Sequence, residues 1–141
     1  MGTYFEDVFD SFLSKITTYD EYLSLTEDEL NTELKMLLKS ALAKFINKKN
    51  LIADYDMDCF NRTLDELEIE ILAYGMVVSW LTPKINNIEL LKQSLSSKDF
   101  NFYSQANHLK ELKDLKADAE KDFQYWIGRY TLNSMIYGDK K

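Results

Sequence analysis

Apolar residues recur at steps of three and four along nearly the whole chain, and this period constrains the fold more than any other feature, because it holds side chains on one face of an α-helix. Phe5, Val8, Phe9, Phe12, Leu13 and Ile16 form one broad stripe. They predict a first helix of about four turns that closes near Lys15 and Thr17-Thr18. In Thr26-Glu27-Asp28-Glu29, the Thr26 hydroxyl can accept from the Glu29 amide while Glu29 reaches back to the Thr26 amide. This capping box predicts the start of a second helix. Leu30, Leu34, Leu37, Leu38, Ala41, Leu42 and Phe45 then share its inner face, with Lys35, Lys39 and Lys44 outside. The helix should fray near Asn47-Lys48-Lys49-Asn50, a cationic end suited to the helix dipole.

Between Leu51 and Arg62 the period weakens, which predicts a loop or a short irregular helix. Thr63-Leu64-Asp65-Glu66 repeats the capping-box pattern and opens a third helix through Leu67, Ile71, Leu72, Met76, Val77 and Trp80. Ile69, Ala73 and Val78 add apolar groups on its other sides, so this helix should be the central one. Pro83 predicts a stop, followed by a fourth helix with Thr82 as N-cap and Ile85, Ile88, Leu91 and Leu95 along one face. Ser96-Ser97-Lys98-Asp99 turns the chain, and a last helix runs from Ser104 through Leu109, Leu112, Lys116, Ala119, Phe123, Trp126 and Tyr130. No strand-like alternation of useful length occurs. The expected fold is all-α, a single-domain bundle of about five helices over residues 1–141, with a less regular loop at 51–62, a long C-terminal helix and a flexible tail at 133–141.

A chain of 141 residues is long enough to bury one core and leaves little room for a second. The formal charge of −7, from 17 basic and 24 acidic residues, argues against wrapping a phosphate backbone. Cys59 is the single cysteine, so no intramolecular disulfide forms, as suits a reducing cytoplasm. The acidic start Met1-Gly2-Thr3-Tyr4-Phe5-Glu6-Asp7 lacks the basic and apolar regions of a secretory signal. Glu70 and Ser79 interrupt the apolar run from Ile69 to Leu81, which reads as a buried helix and not a membrane span.

Residues for catalysis are sparse. His108 is the only histidine and has no Ser or Cys at a suggestive spacing. Cys59 lies beside Asp58, whose charge would raise a thiol pKa where a nucleophile needs it lowered. Asp54, Asp56 and Asp58 have the rhythm of a calcium loop, but the turn glycine is missing and Asp65 stands where the closing glutamate belongs. Gly2, Gly75, Gly128 and Gly138 never cluster into a phosphate-cradling loop. Glu66, Glu68 and Glu70 have no Glu-x-x-His partner and read as an exposed face. The sequence predicts no enzyme, no cofactor and no metal.

Surface for proteins is the remaining reading. Nine tyrosines, eight phenylalanines and two tryptophans exceed what one modest core would hold, and Tyr4, Tyr19, Tyr22, Tyr103, Tyr125, Tyr130 and Tyr137 lie off or at the edge of the apolar stripes. Aromatic residues are favoured at interfaces, since they bury much area at low rotamer cost. The segment from Trp80 through Pro83, Lys84, Asn86, Asn87, Gln93, Lys98, Asp99, Phe100 and Tyr103 to Asn107 joins aromatics to uncharged polar residues at a helix–helix corner. Tyr125, Trp126 and Tyr130 make the last helix apolar on more than one face. Both places are candidate protein interfaces.

Three stretches carry a resemblance to a known group: Trp80-Leu-Thr-Pro-Lys-Ile-Asn-Asn-Ile-Glu-Leu-Leu-Lys-Gln-Ser-Leu-Ser-Ser-Lys-Asp-Phe100 with Tyr103-Ser-Gln-Ala-Asn107 and Leu109-Lys-Glu-Leu112, Tyr4 to Thr17, and Leu37 to Phe45. Together they resemble the small helical neck proteins, of head–tail connector or adaptor type, of tailed bacteriophages infecting Gram-positive hosts. The resemblance implies a virion component made in the host cytoplasm. It would dock beneath the portal protein, contact copies of itself in a ring and neighbouring neck or tail proteins, and let DNA pass without sequence-specific binding or any membrane. It also implies segments that reorder on docking, for which Leu51–Asn61 and the C-terminal tail are the candidates. A competing class is a small acidic helical protein that sequesters a host protein by mimicking nucleic-acid charge, whose signature would be one contiguous acidic face.

Overall fold

The computed structural model describes residues 2–16, 25–45, 48–94 and 102–137, and within the helices the side chains of all but 88, 90–94, 102–107 and 137. Among these residues the chain forms helices α1 (Phe5–Lys15), α2 (Glu27–Lys44), α3 (Glu66–Ser94) and α4 (Phe102–Tyr137), with a hairpin of β1 (Ala53–Asp54) and β2 (Cys59–Phe60) between α2 and α3. The all-α class holds. The count of five helices is not reached among the described residues, because α3 continues through Pro83 as one helix.

That continuation corrects the expected stop. A proline inside a helix costs about 3 kcal/mol through its missing N–H and its clash with the preceding turn. Leu81 and Ile85, on either side of it, are 1% and 6% exposed. Burying each contributes about 1.5–3 kcal/mol, and only a continuous helix keeps both on the core face. Thr82 therefore does not cap: its hydroxyl donates to the Val78 carbonyl one turn back, at 2.8 Å.

Helix α3 is the central element, packed against α1, α2 and α4. Its Ile71, Leu72, Ala73 and Met76 are fully buried. Helix α1 contributes Phe5, Val8, Phe9 and Phe12, and α2 contributes Leu34, Leu37, Leu38, Ala41 and Leu42, so both predicted stripes face inward. The Thr26 capping box is present in both directions, at 3.1 Å and 2.9 Å. The second cap lies two residues later than expected. Asp65, not Thr63, accepts from the amide three residues on, and Glu68 returns the bond to the Asp65 amide, at 2.8 Å and 3.1 Å.

The 51–62 segment is a tied-down hairpin. Asp54 turns it by accepting from the amides of Asp56 and Met57, and Asp58 takes a left-handed conformation (φ 57°). Residues 3–5 run alongside β2, with the Phe60 amide donating to the Thr3 carbonyl at 2.8 Å and the Thr3 amide to the Arg62 carbonyl at 3.2 Å. Gly2 sits so close to the Phe60 and Arg62 backbone that a Cβ would strike it. Leu51 and Phe60 enter the core. The pairing is only two residues long on each strand, too short to leave an alternation in the sequence.

Helices α3 and α4 are antiparallel: Glu68 meets Tyr130 at one end, Gly75 meets Phe123 further along, and Lys113 pairs with Glu89 at 2.7 Å. At 36 residues against 29, α4 outruns α3. It continues to Tyr137, past the Asn133 at which a tail was expected. The residues after Leu132 project beyond the start of α3, with Met135 78% and Ile136 62% exposed. No helix among the described residues is long and apolar enough to cross a membrane.

Candidate functional site

The predicted corner dissolves into one face of a continuous helix. Pro83, Asn86 and Asn87 are exposed along α3. Trp80 is half-buried, with its ring edge-on to Phe12 at 6.3 Å and the Lys84 ammonium 4.8 Å over its face. Lys98, Asp99 and Phe100, and the side chains of Gln93, Tyr103 and Asn107, lie outside the described residues. On α4, Tyr125 is 55% exposed and stacks edge-on against half-buried Trp126, with ring centroids 5.0 Å apart. Tyr130 points the other way. At 5% exposure it packs on Phe45 and donates its hydroxyl proton to Glu68 Oε2 at 3.0 Å, so it is not part of the exposed aromatic end.

Glu68 departs most from its expected place, since it is 2% exposed and not on an open face. Arg62 clamps it with both terminal nitrogens, at 2.8 Å and 2.5 Å, and also donates to the Lys49 carbonyl at 2.7 Å. The Lys49 amide donates to the Tyr130 hydroxyl at 3.3 Å. The cluster thus joins the residues flanking the hairpin to the first turn of α3 and to α4. Burial pushes the Glu68 carboxyl up, but the Arg62 guanidinium, the Asp65 amide and the Tyr130 hydroxyl together bring it below the ordinary carboxylate range. Burial, and then the charge and hydrogen bond of Glu68, push the Tyr130 phenol up to about 12. No sequence rule places a charge here, because Glu68 shares its spacing with exposed neighbours.

The raised phenol gives an alkaline prediction. A group whose folded pKa exceeds its unfolded value of 10 stabilises the fold below pH 10, and that contribution is lost as the pH rises through about 12. Urea midpoints measured across this range should fall more steeply for the natural chain than for Tyr130→Phe. Parallel slopes would mean that the hydroxyl is free in solution.

A groove of about 430 Å³ runs between α3 and α4 beside the end of α1. Tyr74, Val77, Trp80, Leu81 and Leu112 make its floor; Glu111, Asp118 and Asp122 stand on the α4 side, and Lys15 and Lys84 on the other. Lys15 is held by Glu70 at 3.0 Å and lies over the Tyr74 ring. His108 is exposed at the groove's edge and Cys59 is buried 8% exposed in β2, far apart in the fold. Among the described residues no three His, Cys, Asp or Glu side chains are grouped to hold a metal ion. Asp58, from the apparent calcium rhythm, pairs with Lys35 at 2.6 Å. A second depression, between α1 and α2, is rimmed by Glu6, Glu27, Asp28 and Asp58.

No family model matches the sequence, and neither does any curated protein or solved structure.

Proposed function

We propose that this chain is a structural protein of a tailed-phage particle, a neck subunit that joins the portal and capsid to the tail as one member of a ring through which DNA passes. The observation that supports this best is that two unlike patches lie open on one packed helix pair: Pro83, Asn86 and Asn87 on α3, and the Tyr125–Trp126 pair on α4. By the antiparallel register, Tyr125 lies level with residue 73, so Asn86 is about 20 Å further along the bundle. A ring subunit touches each neighbour with a different surface and needs two such places. The resemblance of the Trp80–Leu112 stretch to neck proteins points the same way, and a charge of −7 suits a wall that lets phosphates slide past. The chain acts by binding, without a cofactor.

The test is the mass of the purified chain by size exclusion with light scattering, alone and mixed with the portal protein of the same genome. Co-elution in a large complex is expected. Asn86→Ala/Asn87→Ala should lower the portal-bound fraction at least tenfold, the equivalent of about 1.4 kcal/mol, with unchanged helicity, because both residues are exposed in mid-helix. A chain that ignores the portal protein rejects the proposal.

One observation favours a second reading. Glu6, Glu27, Asp28 and Asp58 share the rim of one depression, the contiguous acidity a charge-mimicking binder of a host protein would use. Such a protein would pull down a nucleic-acid-binding host protein in a salt-sensitive complex and leave the portal alone.

A further inference from the structure

We propose that the free chain pairs with a second copy of itself through an antiparallel, two-fold contact along the outer face of α4, centred between Tyr125 and Trp126. This rests on α4 alone and concerns the chain before assembly: it occupies the Tyr125–Trp126 pair that the neck reading gives to a ring neighbour.

The outer face of α4 is a second stripe at steps of three and four, opposite in role to the buried one. Leu115 is 50% exposed, Tyr125 55%, Leu132 46% and Ile136 62%, while Asp118 and Arg129 are exposed and Asp122 half-buried. All fall within about 100° of arc on the helix at 3.6 residues per turn. A helical face carrying this much apolar surface over about six turns is not what a solvated helix presents.

Its charges decide what covers it. Read in reverse about the Tyr125–Trp126 midpoint, the stripe complements itself: Asp122 faces the other copy's Arg129, and Leu115 faces the other copy's Ile136. Both relations occur twice in a two-fold pair, as an isologous contact requires. Neither Asp122 nor Arg129 makes an ion pair among the described residues. Ile136, on the overhang past α3, would then reach the mouth of the groove beside the other copy's Leu115. At the centre, two Tyr125–Trp126 pairs meet as four rings.

The experiment is disulfide trapping of the full chain carrying Leu115→Cys and Ile136→Cys, oxidised at about 1 mM, where even a contact with Kd of about 1 mM is substantially filled. Within one chain the two positions are about 31 Å apart along a rigid helix and cannot bridge. The expected product is a covalent dimer that grows no further. A ladder of higher multimers means a head-to-tail contact, and a monomer means that no second copy seats on this face; either overturns the proposal. By sedimentation, Arg129→Asp should weaken dimerisation about tenfold and Asp122→Arg/Arg129→Asp should restore it. A ladder or a monomer overturns this pairing while leaving the neck proposal to its own test with the portal protein, so the two fail separately.

Discussion

Replacing Arg62 by Met should lower stability at neutral pH by about 3–5 kcal/mol, because it leaves the Glu68 carboxylate, 2% exposed, without its cation. Against a total of about 5–15 kcal/mol, that is enough to populate the unfolded chain measurably. The loss should also reverse its dependence on pH. In the natural chain the Glu68 carboxyl titrates below its ordinary 4.5, so its stabilisation is present above pH 4.5 and disappears as the pH falls through the lowered value. Without Arg62, burial dominates and raises that pKa above 4.5. The variant then loses stability as the pH rises from about 4.5 through the new value, and its deficit shrinks in acid. Urea melts at pH about 4.5 and about 7 measure this directly. A second variant, Arg62→Met/Glu68→Gln, should recover part of the loss by removing the buried charge while keeping an acceptor for Tyr130. A deficit that grows in acid would sink the account.

This cluster also shows why part of the structure was not legible in the sequence. Periodicity sorts residues by apolarity, so it placed Phe5 to Ile16 and Leu34 to Phe45 on their faces, and it assigned α3 to the centre. It has no term for a glutamate whose burial depends on an arginine six residues earlier and a tyrosine 62 residues later. Glu68 and Glu70 are equivalent by pattern; one is sealed in the core and the other is 40% exposed beside Lys15. The same blindness moved the cap. Thr63 and Asp65 both suit an N-cap by residue type, and the choice of Asp65 follows from where Glu68 is held, with Thr3 Oγ1 accepting from the Leu64 amide next door.

Pro83 and the hairpin are two further cases in which tertiary burial overrode local preference. A local rule ends the helix at Pro83; the burial of Leu81 and Ile85 on one face carries it through. In the hairpin, each strand has two residues, and its position comes from the Phe60 amide donating to the Thr3 carbonyl and the Thr3 and Phe5 amides donating to the Arg62 and Asp58 carbonyls. On the surface, Asn86, Asn87 and Tyr125 are exposed, whereas Tyr130, indistinguishable by spacing from its exposed neighbours, is buried. Whether a tyrosine on a broad apolar helix faces in or out depends on which acceptor lies inside, here a carboxylate.

Gly75 sets the spacing of the bundle, and replacing it by Leu should cost about 3 kcal/mol or more. A Cβ at this position would lie 2.8 Å from the Ala41 Cβ of α2 and 2.9 Å from the Phe123 ring of α4. Both are closer than carbon atoms pack, and the Ala41 methyl has no torsion by which to withdraw. Glycine in a helix interior gives up about 1 kcal/mol of propensity, so its presence at the middle of α3 is explained by three helices meeting there. Even alanine must push α2 or α4 outward, and leucine adds three more carbons to a core that has no room for them. Truncating the ring should relieve it. Phe123→Ala alone opens a cavity and costs about 3–5 kcal/mol, while in Gly75→Leu/Phe123→Ala the two losses should fall well short of additive, because the new side chain fills the space the ring left. Thermal or urea unfolding of the four chains gives the coupling. Additive losses would mean that α4 does not lean on Gly75, and an unperturbed Gly75→Leu would mean that the three helices do not meet there at all.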